Sequence, residues 1–296
     1  MTRLRAGTRG SDLALWQTRW VHDRLLEVNP SLDIQQIIIT THGDTAKEQL
    51  FDANWPVGGF VGAIEQQLAS KRIDYAVHSY KDLQTAVTAG LVIAAVPVRE
   101  VVYDVLVTRE PLDLDHLPKG LRIGTSSPRR SAQLRAVADV EIVPIRGNVP
   151  TRVGKVDKGE LDAVVLAGAG VKRLSIKPNN VIELPPDRFV PAPAQGALAI
   201  QAREDSEAAR IVAAIDKPEL RRAIDAERAV LEGIHAGCHT PVGALAKVDG
   251  EEVTLHAQLF SDDGERMVER TETGDDPREL GLRLAKRLLA DLGSCR

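Results

Sequence analysis

The stretch 121–152, LRIGTSSPRRSAQLRAVADVEIVPIRGNVPTR, decides the fold. Two short apolar runs, 121–123 and 140–145, each lead into a turn and then a helical sequence, which predicts parallel strands joined by a helix. In such a unit the C-terminal ends of the strands and the N-termini of the helices share one rim. The turns carry Arg129, Arg130, Arg146 and Arg152, so four guanidinium groups are expected at one sheet edge. The backbone N–H groups of 124–127, at a helix start, are expected to face an anion as well. A planar guanidinium pairs bidentately with carboxylate or phosphate, so the prediction is a site for a polycarboxylate or polyphosphate. The plainer alternative is a set of surface arginines on amphipathic helices.

Working outward, residues 103–108 read as a strand entering this unit and 91–98 as a buried strand of an earlier one. The earlier unit opens with a strand at 4–6 that runs into Gly7-Thr8-Arg9-Gly10-Ser11, where Ser11 or Asp12 caps a helix to about 28. A strand at 34–40 follows the break at Asn29-Pro30. The polar stretch 41–59, THGDTAKEQLFDANWPVGG, is too long for a routine connection and reads as a candidate lid. A helix at 60–71 and a strand at 73–77 then deliver His78-Ser79-Tyr80-Lys81-Asp82-Leu83 to a strand end.

Beyond 152 come a strand at 162–166, a short helix with Lys172 and Arg173, and a strand at 181–184. Prolines at 185, 186, 191 and 193 mark a linker, after which Gln195-Gly196 opens a strand at 197–201 expected to return to the first unit. Two α/β units joined by two crossings would hinge around a cleft. From 205 the character changes: helices at 205–215 and 218–233, the segment HAGCHTP at 235–241, alternating strands at 242–248, 253–260 and 266–273, and a closing helix at 278–292. This predicts a small α+β domain with a three-stranded antiparallel sheet. The expected division is 1–97 with 197–214, then 98–196, then 215–296.

Composition narrows the function. A net charge of −4 gives no overall attraction to nucleic acid or an acidic membrane, so any anion site must be a local concentration of arginine. With 3% aromatic residues, base-stacking platforms are not expected either. No apolar run is long enough to span a bilayer, and MTRLRAGTRG lacks the apolar core of a signal peptide, so the chain reads as cytoplasmic. Two cysteines, Cys238 and Cys295, suit a reducing compartment.

Cys238 sits in a glycine-flanked loop between a helix and a strand. Three readings stand: a nucleophile or covalent anchor, a small buried hydrophobe, or a metal site with His235 and His239, for which no partner motif exists. The expected metal content is none. Asp82, beside Lys81, is either a solvated ion pair or, facing an arginine-rich cleft, a carboxylate that stabilises developing positive charge or moves a proton. Gly168-Ala169-Gly170 is not a dinucleotide fingerprint, because Arg173 stands where a third glycine would be.

Taken together these segments resemble hydroxymethylbilane synthase, the porphobilinogen deaminase family. The matching residues are Arg9-x-Ser11-x-Leu13-Ala14, Ala76-Val77-His78-Ser79-x-Lys81-Asp82-Leu83, Gly124-Thr125-Ser126-Ser127-x-Arg129-Arg130 and Arg146-Gly147-Asn148-Val149-x-Thr151-Arg152. They continue with Leu166-Ala167-x-Ala169-Gly170 and Lys172-Arg173-Leu174, Gln195-Gly196-Ala197, and Glu227-Arg228 before Gly237-Cys238-x-x-Pro241-x-Gly243-Ala244. The resemblance implies two periplasmic-binding-protein-like α/β domains around a hinged cleft and a small third domain with the cysteine. It implies a transferase of haem and tetrapyrrole biosynthesis that joins four porphobilinogen units head to tail onto a dipyrromethane held by Cys238 through a thioether, then releases the linear tetrapyrrole by hydrolysis.

By the same resemblance Asp82 and Lys81 are catalytic, Asp82 stabilising the azafulvenium left when ammonia departs. Arg129, Arg130, Ser127, Lys81 and Asp82 hold the cofactor with Cys238, and Arg9, Ser11, Arg146, Arg152, Arg173, Gln195 and Phe60 meet the substrate. The expected partner is porphobilinogen alone, with no nucleic acid or membrane, and the expected state is a cytoplasmic monomer.

The chain departs from the family at several points. The lid, GGKGLFxKE-like elsewhere, reads Pro56-Val57-Gly58-Gly59-Phe60-Val61-Gly62-Ala63; Gln84 stands for proline; Val101-Val102-Tyr103-Asp104 replaces Asp-Pro-Arg-Asp; and Ala194 replaces glycine. A divergent paralogue making a shorter or altered pyrrole product is the alternative within the enzyme class. A non-catalytic two-lobed binder of a small anion is the alternative outside it, and Asp82 and Cys238 argue against that.

Overall fold

The computed structural model describes residues 2–40, 62–86, 88–235 and 240–294. The candidate lid 41–59, Phe60, Cys238, His239 and Cys295 lie outside the described residues. The chain divides into two compact units, 1–99 with 197–221 and 100–196 with 222–296.

The first unit contains a five-stranded sheet in the order β2-β1-β3-β10-β4, with β1 Arg3–Thr8, β2 Asp33–Ile38, β3 Tyr75–Ser79, β4 Leu91–Ala95 and β10 Leu198–Arg203. Strands β1, β2 and β3 run parallel, and β10 is antiparallel to both its neighbours. Period-two alternation sends Leu4, Ala6, Tyr75, Val77, Leu198 and Ile200 to one face, where they pack with Val21 and Leu25 of helix α1 (Asp12–Val28). Helix α2 (Gly62–Ala69) covers the other face with Ile64 and Leu68.

The sheet of the second unit, order β7-β6-β8-β5-β9, is built from β5 Asp104–Thr108, β6 Leu121–Gly124, β7 Val140–Val143, β8 Ala163–Ala167 and β9 Asn180–Glu183. Strands β6, β7 and β8 are parallel, while β5 runs against β8 and β9. Helices α3 (Pro128–Val137), α4 (Val149–Asp157) and α5 (Gly168–Arg173) follow β6, β7 and β8. The third strand-like run, expected to 145, stops at Val143 because Pro144 has no N–H for the ladder.

The same unit holds the three-stranded antiparallel sheet β11 (Val242–Asp249), β12 (Glu252–Phe260) and β13 (Met267–Gly274), preceded by a helix, Pro218–Gly233, and closed by another, Pro277–Ser294. Val253, Leu255, Ala257 and Leu259 alternate into a core with Leu280, Leu284 and Leu288. The opposite face of this sheet lies against residues 188–191. Gly243 is glycine because a Cβ there would stand 2.4 Å from the Val190 carbonyl oxygen, and Ala244 N donates to Pro191 O.

Candidate active site

Each α/β sheet presents a rim where parallel strands end and helices begin. In the first unit, β1 ends at Thr8 and the turn through half-buried Arg9 leads to Ser11, whose hydroxyl caps α1 by accepting from Ala14 N. The neighbouring β3 ends at Ser79, and a single 3-10 turn, Tyr80–Asp82, follows. Because β1 and β3 are parallel neighbours, Arg9, Ser11, Lys81 and Asp82 belong to one rim. Asp82 is exposed, Lys81 half-buried. Gln17 of α1 donates to the Ser79 hydroxyl at 2.8 Å, joining the two turns from below.

In the second unit the three parallel strands deliver Ser127, Arg129 and Arg130 after β6, Arg146 and Arg152 after β7, and Arg173 after β8. Ser127 caps α3, its hydroxyl accepting from Arg130 N, and Pro128 fits the first helical position where an N–H is not needed. Arg129 and Arg130 point inward: they are 4% and 8% exposed, against an Asp104 carboxylate that is 1% exposed. Arg129 Nη2 donates to Asp104 Oδ2 at 2.8 Å, and Arg130 donates through Nη2 to Oδ1 at 2.7 Å and through Nε to Oδ2 at 3.1 Å. Gln195 Nε2 adds a bond to Oδ1 at 2.9 Å.

Burial, with Arg130 alongside, pushes the Arg129 guanidinium below its ordinary range, and the Asp104 charge works against that shift. Arg173 is also buried, which brings it down to about 10, and it donates to Gly196 O at 2.7 Å. Arg152 Nε donates to Gly147 O at 2.8 Å, on the turn that begins its own helix.

Two sequence expectations change here. The amides of 124–127 do not all await an anion: Thr125 N donates to Val143 O and Ser127 N to the Thr125 hydroxyl. The Ser126 hydroxyl is likewise used inside the protein, bonding both the N–H and the carbonyl of Ile145. The plainer reading of surface arginines does not hold for Arg129 and Arg130, which are buried against Asp104.

Asp104 is the residue that sequence reasoning missed. Its strand runs antiparallel to β8, so the first residue of β5 pairs with Ala167, the last of β8, at the rim where the arginines arrive. A second carboxylate, named in a sequence motif but given no role there, is Glu227, fully buried, whose oxygens accept from Ala194 N at 2.7 Å and Ala246 N at 2.8 Å. This holds the turn before Gln195, where Ala194 adopts φ +62°, a left-handed conformation that favours glycine. Gly196 follows with φ +85°, and a Cβ there would lie 2.5 Å from Glu100 O.

The chain is also similar to known proteins along most of its length. Residues 4–211 match the family model described as porphobilinogen deaminase, dipyrromethane cofactor binding domain, and residues 222–290 match the porphobilinogen deaminase C-terminal domain. Among curated relatives, a porphobilinogen deaminase of Mycolicibacterium gilvum is 44% identical over 98% of this chain and 96% of its own. One from Brevibacillus brevis is 41% identical over 98% and 95%. Similar solved structures include the BenM effector binding domain with benzoate, at 16% identity and TM-score 0.46 over 75% of this chain and 91% of that one. The methionine binding protein MetQ stands at 13% and 0.45 over 72% and 89%. No helix among the described residues is long and apolar enough to cross a membrane. With two family models that together take in most of its length and relatives above 40% identity from end to end, the chain belongs to the porphobilinogen deaminase family, transferases of tetrapyrrole biosynthesis built on a dipyrromethane cofactor.

Proposed function

We propose that this chain is itself a working hydroxymethylbilane synthase, cytoplasmic and monomeric, with Cys238 as the thioether anchor. The observation that carries the reading is the pair Arg129 and Arg130 on Asp104. Two guanidinium groups share one carboxylate, so the pair keeps an excess of positive charge inside a desolvated rim, and Asp104 fixes the direction of both forks. Acetate and propionate arms fit that donor set. When bound, dipyrromethane would supply the free pyrrole carbon to which the first new unit is joined, each later unit joining the one before it.

In this reading the residues of the chain divide the work. Arg129, Arg130 and Ser127 hold cofactor carboxylates, and Lys81 assists. Arg9, Ser11, Arg146, Arg152, Arg173 and Gln195 take carboxylates of the incoming and growing pyrroles, with Phe60 beside them. Asp82, exposed on its turn, faces the positive charge that develops on porphobilinogen as ammonia leaves, and takes up the proton released when the new carbon–carbon bond forms. The three parts assigned to these tasks are 1–97 with 197–214, 98–196, and 215–296 bearing the cysteine.

The test is the denatured intact mass of the protein made in a porphobilinogen-producing host, beside a Cys238→Ser variant. An increment of two pyrrole units on the parent alone is expected. An unmodified parent mass that persists after incubation with porphobilinogen overturns the proposal.

A further inference from the structure

Helix α3 sends its polar side chains to two places. Arg129 and Arg130, in its first turn, meet Asp104, whereas Gln133, one turn later on the same face as Arg129, meets the three-stranded sheet. Gln133 Oε1 accepts from Arg129 Nη1 at 2.9 Å. Its Nε2 donates to Val190 O at 2.9 Å and to Gln258 Oε1 at 3.0 Å. Gln258 Nε2 then donates to Glu269 Oε2 at 3.0 Å and to Arg188 O at 3.4 Å. Arg129 Nη1 also donates to Val190 O at 2.9 Å. One hydrogen-bonded chain therefore runs Asp104, Arg129, Gln133, Gln258, Glu269.

The two amides at its centre are 3% and 4% exposed. Gln258 lies on the face of β12 that points away from the C-terminal core, where Thr254 and His256 are half-buried. A pair of apolar side chains would fill this contact without the desolvation that two buried amides demand. Packing alone therefore does not explain the choice of glutamine. Its distinctive product is an acceptor for Arg129 Nη1, held in place by a partner on another sheet. The register ties that partner to the anchor, because Gln258 pairs with Gly243, five residues beyond Cys238 in the sequence.

We infer that Gln258 is a positioning residue: through Gln133 it holds the Arg129 guanidinium in the orientation that receives a cofactor carboxylate. The sheet that follows the anchoring cysteine and the arginine pair that receives the cofactor are thereby kept in one hydrogen-bonded register. This rests on the reading of Arg129 and Cys238 given above.

The test uses the full-length apo chain from a host that makes no porphobilinogen. Porphobilinogen is added, and the gain of two pyrrole units is followed in time by denatured intact mass, with thermal melting of each apo protein measured in parallel. Gln258→Met and Gln133→Met are near-isosteric. Each is expected to slow loading about 3- to 10-fold and to raise KM for porphobilinogen by a similar factor, with kcat changed less than about twofold. The double variant is expected to be no slower than the slower single variant, because both act through one chain. Loading and KM at parent values in folded Gln258→Met, or effects that multiply in the double variant, overturn the inference.

Arg129→Met is the reference. If it loads at the parent rate, the reading of Arg129 fails and the inference with it; if it is slow while Gln258→Met is not, only the inference fails. Should Gln258→Met not fold, the exchange Gln258→Glu with Glu269→Gln keeps an acceptor for Gln133 and a donor–acceptor pair between 258 and 269. It is expected to load at close to the parent rate, and slow loading by this folded variant overturns the inference.

Discussion

The two five-stranded sheets share one pattern of strand directions and differ in the residue that faces the end of the third parallel strand. Each has three parallel strands, then an antiparallel strand, then an edge strand antiparallel to that one. In each, the antiparallel strand begins at the rim where the parallel strands end, opposite the last residue of the third parallel strand. In the first sheet that pair is Leu198 with Ser79, and in the second Asp104 with Ala167. The aspartate turns two neighbouring arginines inward and buries them. Where the leucine stands, the polar groups of the rim are arranged by a neutral bond from Gln17 to Ser79, and Asp82 stays at the surface. A shared backbone frame thus sets where side chains arrive, and one residue sets whether cations fold inward onto a carboxylate.

The sharpest way to break this comparison is to make the sheets identical there. Asp104→Leu leaves two buried guanidinium groups without their carboxylate, and the expected loss is about 3–5 kcal/mol in urea unfolding of the second unit. A loss below about 1 kcal/mol would mean that Asp104 does not hold the pair.

Acid should separate the two sheets from the other side. His78 on β3 is buried, and desolvation lowers it to about 4. The unfolded chain therefore binds the His78 proton below about pH 6.5 and the folded one only near 4. The stabilising effect is complete above the unfolded value and is lost as pH falls through that window. Between pH 7 and 5 the first unit should lose about 2 kcal/mol, and His78→Asn should flatten that slope. Equal slopes in parent and variant would remove the assignment.

The smallest effect concerns the caps, which the two rims share. Ser11 and Ser127 each accept from the third residue of the helix they begin. Alanine at either is expected to cost about 0.5–2 kcal/mol, and by similar amounts. A Ser127→Ala cost well above that of Ser11→Ala would show that the second rim needs its hydroxyl for more than the helix.

Much of this was legible in order of sequence. Gly124-Thr125-Ser126-Ser127 before an arginine pair marks a strand end and a helix start, and the alternation through 253–260 marks a sheet with one buried face. Asp104 was not legible, because its meeting with Arg129 depends on the direction of β5, which no local pattern encodes. Gln258 was hidden differently. Period two assigns it to the outer face, and only the docking of residues 188–191 buries that face at one end of β12. The Ala194 departure became readable only through its positive φ.

The first sheet is completed by β10, which is inserted between β3 and β4 yet lies after the whole second sheet in the sequence. While the chain is being synthesised, β4 has no strand to pair with and β3 shows an open edge until residues 198–203 emerge. The second sheet draws all its strands from 104–183 and can close earlier. Of the two five-stranded sheets, the one begun first is thus the one that closes last, and its waiting strand edges are where a nascent chain is most exposed to pairing with its neighbours.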